Sequence, residues 1–176
     1  LPHAPGEDPY SVFYDCGPQS VFSQGKLPMY AVPTTAGSGS DTCGCAILTR
    51  THPHVKLSMK QKSNFTASFL DARYIRESPL SLLDSGVLDA LAHGVESHLS
   101  VRNHPGSEMF SEYGFRLFSE FKDHLLNNTL TEEDYEKMLV AASMQGSVLL
   151  LTSTTIPHGL GYPLSIEKGL NHGFSS

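Results

Sequence analysis

Ser81-Leu-Leu-Asp-Ser-Gly-Val-Leu-Asp-Ala-Leu-Ala-His-Gly-Val-Glu96 decides the architecture of this chain. Leu80, Leu83, Val87, Leu91 and Val95 recur at three- and four-residue steps, the period of a helix that starts near Ser81 or Asp84. Asp89, His93 and Glu96 fall on the opposite face, where Leu88, Ala92 and Leu99 flank them. A helix apolar over most of its circumference is expected to be buried. Asp89 and His93 stand one turn apart on one face, within reach of a single ion. On spacing alone such a pair is more often a solvated contact or a local hydrogen bond. Burial changes the balance, because a cation is one of the few partners that satisfies a desolvated carboxylate and imidazole together.

Downstream the texture stays helical. A second helix is expected from Ser107 to about Leu126, with Phe110, Tyr113, Leu117, Phe121 and Leu125 as its inner stripe and Asn127-Asn128 as its stop. Thr131-Glu-Glu-Asp134 supplies an N-cap hydroxyl and three acidic side chains for the positive end of a third helix, which turns Tyr135, Met138, Leu139 and Ala142 inward. Beyond a Thr/Ser-rich break at residues 152–155, His158 and His172 each stand beside a glycine, which lets backbone approach a ligand closely. They read either as further metal ligands or as turn histidines capping helix ends. One carboxylate and three imidazoles would suit a divalent first-row ion and leave coordination positions open.

Upstream, residues 1–26 are rich in Pro and Gly and read as irregular connection. Residues 27–33 form a short apolar run that ends in the polar turn Thr34-Thr-Ala-Gly-Ser-Gly-Ser-Asp41, the pattern of a buried strand and a flexible loop. Further strands are expected at residues 43–48, 55–59 and 67–70. Cys43 and Cys45, two apart on the first of these, would share one face, and small buried residues are favoured there over a redox or metal role.

The 176 residues, 39% of them apolar, suffice for a sizeable core. A net charge of -6 with only 12 basic residues and no basic run argues against a nucleic-acid surface, and no stretch approaches the roughly 18 apolar residues of a membrane span. A small molecule is the expected partner. Three cysteines and no secretory leader point to a reducing compartment, the cytoplasm. With Leu at position 1 and its end directly after the last candidate ligand, the chain reads as a piece of a longer polypeptide.

Val32-Pro-Thr-Thr-Ala-Gly-Ser-Gly-Ser-Asp41, Leu88-Asp-Ala-Leu-Ala-His-Gly-Val-Glu96, Pro157-His-Gly-Leu-Gly-Tyr-Pro163 and Asn171-His-Gly173 resemble, in this order, the signatures of the iron-containing (group III) alcohol dehydrogenases. The resemblance implies that Asp89, His93, His158 and His172 ligate Fe²⁺, or Zn²⁺ in some members. It implies that Thr34, Thr35, Ser38 and Lys56 contact a nicotinamide dinucleotide, NAD or NADP. It also implies a fold of mixed α/β class, mostly helical: residues 1–78 as the remnant of a Rossmann-like nucleotide-binding domain, and residues 79–176 as a helical metal-binding domain cut short at its end. A homodimer or larger homo-oligomer is the expected assembly.

The chain departs from the family in three places. No Gly-Gly-Gly-Ser turn to cradle a pyrophosphate precedes the Pro-Thr-Thr motif, and the helices that follow the last histidine in the family are missing. Tyr162 stands where many members place a second histidine near the nicotinamide, so it becomes the candidate catalytic proton carrier. The reaction implied is the exchange of hydride between NAD(P) and an alcohol, aldehyde or ketone, with a metal ion polarising the substrate oxygen. Glu96 is equally open as an ordinary helix-face carboxylate or as the group that orients a ligand imidazole. The competing readings are a lyase like dehydroquinate synthase, disfavoured because that family binds Zn²⁺ with one Glu and two His, and a non-catalytic metal-binding fragment.

Overall fold

In the computed structural model, which describes residues 28–51, 54–60 and 65–175, two of the three long helices begin at side-chain caps and the first begins directly after a proline. The irregular stretch expected over residues 1–26 lies outside the described residues, as do the side chains of residues 48–60, Lys56 among them. Helix α1 (Leu80–Leu99) follows Pro79, α2 (Pro105–Leu126) opens on a proline, and α3 (Glu132–Thr152) opens on an acidic turn. Two shorter helices follow, α4 (Ile156–Lys168) and α5 (His172–Ser175).

At the start of α3 the Thr131 hydroxyl accepts from the Asp134 N–H at 3.3 Å, and the Asp134 carboxylate accepts from the Thr131 N–H at 2.8 Å. This reciprocal box satisfies two backbone donors that a helix leaves orphaned. Helix α2 starts two residues before the expected Ser107, because Pro105 occupies the first helical position and His104 caps it through Nδ1, which accepts from the Gly106 N–H at 3.1 Å.

The core lies between α1, α2 and α3. Leu83, Val87 and Ala90 of α1 meet Leu117, Phe118, Phe121 and Leu125 of α2 and Met138, Leu139 and Ala142 of α3. Phe121 is completely buried, a contribution of about 2–3 kcal/mol from its apolar surface alone. The expected stripes are only partly the buried ones. On α1, Leu80 and Val95 are exposed while Asp89, His93, Gly94, Glu96 and Ser97 are buried. On α2, Tyr113 is exposed beneath the Arg116 guanidinium, and Ser107, Ser111 and Gly114 face inward. The reasons differ: on α2 small residues let α3 come close, Gln145 filling the space over Gly114, while the buried polar side chains of α1 are those that meet α4 and α5.

Two of the strands are shorter than the sequence suggests and two are longer. Of residues 27–33 only β1 (Tyr30–Ala31) is strand, paired in parallel with β4 (Ala67–Ser68). Strand β2 (Cys45–Thr51) starts two residues later than expected and pairs antiparallel with β3 (His54–Lys60), Cys45 opposite Lys60 and Thr51 opposite His54. Cys43 therefore lies outside the strand, separated from Cys45 by Gly44 at φ +64°.

The polar loop after β1 is anchored on α3. Gly39, at φ +54°, packs so tightly that a Cβ on Gly146 would sit 2.2 Å from its carbonyl oxygen. Buried Asp41 accepts from Ser143 Oγ at 2.7 Å and from Ser68 Oγ at 2.8 Å, and Thr42 Oγ1 donates to the Ser143 carbonyl at 2.7 Å. Loop, β4 and α3 are thereby tied into one piece that forms a wall beside α1.

Candidate metal centre

Helix α1 carries Asp89 and His93 on successive turns, α4 brings His158, and α5 brings His172. Helix α5 can reach α1 only because residue 173 is glycine: a Cβ there would lie 1.7 Å from the Ser85 carbonyl oxygen. The three imidazoles converge on one atom. Asp89 Oδ1 lies 3.3 Å from His158 Nε2, 3.5 Å from His93 Nε2 and 3.7 Å from His172 Nε2. His93 and His158 stack with centroids 4.7 Å apart, and His172 meets His158 edge-on at 5.2 Å. His158 stands in the first turn of α4, after the N-cap Thr155, and His172 is the first residue of α5.

Behind these four stands Glu96, almost fully buried. Its carboxylate accepts from His158 Nδ1 at 2.5 Å, from the Thr155 hydroxyl at 2.8 Å and from the Thr155 N–H. A proton fixed on Nδ1 leaves the His158 Nε2 lone pair directed at the centre, the arrangement in which an outer carboxylate orients a ligand imidazole. The even choice over Glu96 is settled toward that orienting position. Thr155 was not singled out from the sequence. It precedes Ile156-Pro157 at the start of α4, and since Pro157 offers no N–H to cap, its hydroxyl turns to Glu96 instead. The segment between α3 and α4 is strained: Ser153 sits at φ 81° and ψ 162°, a region that only glycine enters readily.

The electrostatics suit a cation. Burial pushes the His93 imidazole down to about 4, outweighing the pull of Asp89, so its ring is neutral. Burial also works against the ionised forms of Asp89 and Glu96, yet it is outweighed by the sum of the His158 hydrogen bond and the surrounding histidines at Asp89, and of the His158 and Thr155 hydrogen bonds at Glu96, which holds both carboxyls below their usual range. For His158 the same bonds win in the other direction: burial lowers it, Asp89 and Glu96 raise it more. An ionised hard oxygen beside imidazole nitrogens is the donor set of a first-row divalent ion, and the residues present fit one. The ligand atoms of Asp89, His93 and His158 all lie within 4.8 Å of one another.

The centre opens into a cleft of about 970 Å³, whose walls include Ser38, Cys45, Leu150, Gly159 and Tyr162. Tyr162 stacks on His172 with centroids 5.4 Å apart, and burial, with Cys45, Asp89 and Glu96 nearby, raises its phenol so that it stays protonated. The structure separates the other expected contacts. Ser38 reaches the cleft, whereas Thr34 and Thr35 are exposed and border an adjoining hollow of about 150 Å³ against Leu139 and Ala142. Lys56 lies on β3, with its side chain outside the described residues.

Comparison with known proteins agrees with this geometry. Residues 84–176 match the model of the C-terminal part of the Fe-containing alcohol dehydrogenase family. Among curated proteins the chain is 28% identical over 158 residues to a phosphonoacetaldehyde reductase of Streptomyces viridochromogenes, covering 89% of this chain and 40% of that protein. Among solved structures it resembles an iron-containing alcohol dehydrogenase of Thermotoga maritima, with 34% identity, a TM-score of 0.77 and coverage of 86% of this chain and 41% of that one. It also resembles a sulfoacetaldehyde reductase of Bifidobacterium kashiwanohense in complex with NAD+, with 28% identity, a TM-score of 0.76 and the same two coverages. The chain thus spans about two fifths of the length of these relatives. It belongs to the Fe-containing alcohol dehydrogenase family.

Proposed function

We propose that this chain carries the metal-holding half of an oxidoreductase that interconverts an alcohol with an aldehyde or ketone by hydride exchange with NAD or NADP. The observation that carries the reading is the convergence of three imidazole Nε2 atoms on Asp89 Oδ1, inside a cleft that the Ser38 loop also borders. Asp89, His93, His158 and His172 would hold the ion, Fe²⁺ by family or Zn²⁺ by donor chemistry. When bound, it would act as a Lewis acid on the substrate oxygen. Glu96 keeps His158 in the right tautomer and orientation. Tyr162, protonated and in the same cleft, can hold a proton for the substrate oxygen or release it. Ser38, with Thr34, Thr35 and Lys56 nearby on the loop and β3, would contact the dinucleotide.

The proposal extends to a division near residue 78 between a nucleotide-binding part and a helical metal-binding part, to a homo-oligomeric assembly, and to the cytoplasm as compartment. The relative solved with NAD+ supports the choice of a nicotinamide cofactor. The test uses the polypeptide that carries this segment, stripped of metal and reloaded with Fe²⁺ or Zn²⁺, with aldehyde-dependent oxidation of NADH and NADPH as the readout. Turnover that requires the ion and disappears in Asp89→Ala is expected. A rate indifferent to metal removal would sink the reading.

A further inference from the structure

Cys43 and Cys45 stand out because the proposed chemistry uses neither. Gly44, at φ +64°, turns the chain between them so that their sulfurs come to 3.4 Å, and the Cys43 thiol also lies 3.4 Å from the Cys45 carbonyl oxygen. Cys43 is buried and Cys45 half-buried, and both border the cleft that holds Asp89, His93 and His158. A disulfide needs its sulfurs at about 2.05 Å, so closure requires an approach of little more than an ångström. Side-chain rotation together with the glycine between the two cysteines can supply it.

We propose that Cys43 and Cys45 form a reversible disulfide in the wall of the cleft, by exchange with a low-molecular-weight disulfide of the glutathione type. Cys45 is the more accessible thiol. Its thiolate attacks one sulfur of the incoming disulfide, forming a mixed disulfide and expelling one small thiolate. The Cys43 thiolate then attacks Cys45 Sγ, closing the internal bond and expelling the second small thiolate. The two protons released by the cysteines end on the two small thiols, so one dithiol and one disulfide become one disulfide and two thiols. This step needs neither the metal nor the nicotinamide, so it stands or falls apart from the proposed activity.

The test equilibrates the full 176-residue chain, carrying Cys16→Ser to remove the third thiol, across a series of reduced to oxidised glutathione ratios. Acid quenching, alkylation and intact mass with peptide mapping then count thiols. The expected product lacks two alkylatable thiols, is lighter by two hydrogens, carries no glutathione, and returns to the dithiol with excess reductant. Cys43→Ser in the same background should instead retain one glutathione on Cys45. Should Cys16→Ser fold poorly, peptide mapping of the unsubstituted chain locates the same bond. Two thiols alkylated at every ratio, or glutathione left on both cysteines, would overturn the proposal.

Discussion

Replacing Glu96 with glutamine removes a charge while keeping the shape of a side chain that only its hydrogen bonds explain. Glu96 accepts three: from His158 Nδ1, from the Thr155 hydroxyl and from the Thr155 N–H. An amide has one oxygen and one NH2. With the oxygen toward Thr155, the NH2 faces His158 and drives its proton onto Nε2, the nitrogen needed by an ion. With the oxygen toward His158, a buried donor faces the Thr155 N–H, a conflict that costs about 1–3 kcal/mol. Loss of an outer-layer partner typically weakens a metal site by about 10–100-fold, or about 1.4–2.7 kcal/mol, so the two routes agree in size. The assay is a Zn²⁺ titration in competition with a chromophoric chelator, with circular dichroism to check that the helices persist. A dissociation constant for Glu96→Gln equal to that of the unsubstituted chain would refute the role given to Glu96.

Gly173→Ala places a methyl group against the Ser85 carbonyl and should lift α5 away from α1, carrying His172 with it; the expected result is weaker metal binding with the core helices intact, measured by the same titration beside urea unfolding. Asp134→Asn should lower stability at neutral pH by about 1–3 kcal/mol, since it weakens a buried, charge-assisted capping box. The pH dependence has a definite sign: burial opposes ionisation of Asp134, but its bonds to Thr131 and His124 outweigh that and hold the carboxyl below its usual range. Its contribution is therefore complete above an unfolded pKa of about 3.9 and fades as pH falls through the lower folded value. Urea midpoints of the two chains should differ at pH 7 and converge in strong acid; a gap that widens in acid would contradict this.

The helical half of the fold was legible from local physics. Thr131 with its acidic turn, and the run from Leu83 through Val87, announce helices whose caps and periods need no tertiary knowledge. Which face is buried was less legible, because Ser107, Ser111 and Gly114 carry no hydrophobic signal and pack by being small. The strand at residues 27–33 was overestimated for a related reason: an apolar run gives no hint of how few partners its backbone will find, whereas β2 and β3 run past the expected lengths to seven residues each. At the site, Asp89 and His93 were visible as a helical pair, while His158 and His172 needed the flanking motifs to be joined to them. Thr155 had no sequence signal, since its hydroxyl departs from the usual capping role only when α1 presents Glu96 to it. The cysteines misled because residue 44 was read as strand, and its positive φ is what turns two thiols toward each other.

The central claim is that Asp89, His93, His158 and His172 form one site for one ion. Its most direct test is the metal content of the purified, metal-loaded chain beside Asp89→Ala and His172→Ala, measured by elemental analysis after removal of loosely held ions. One equivalent of Fe²⁺ or Zn²⁺ in the unsubstituted chain, with stoichiometric uptake abolished in both variants, is the result this account predicts. Equal metal content in all three would contradict it.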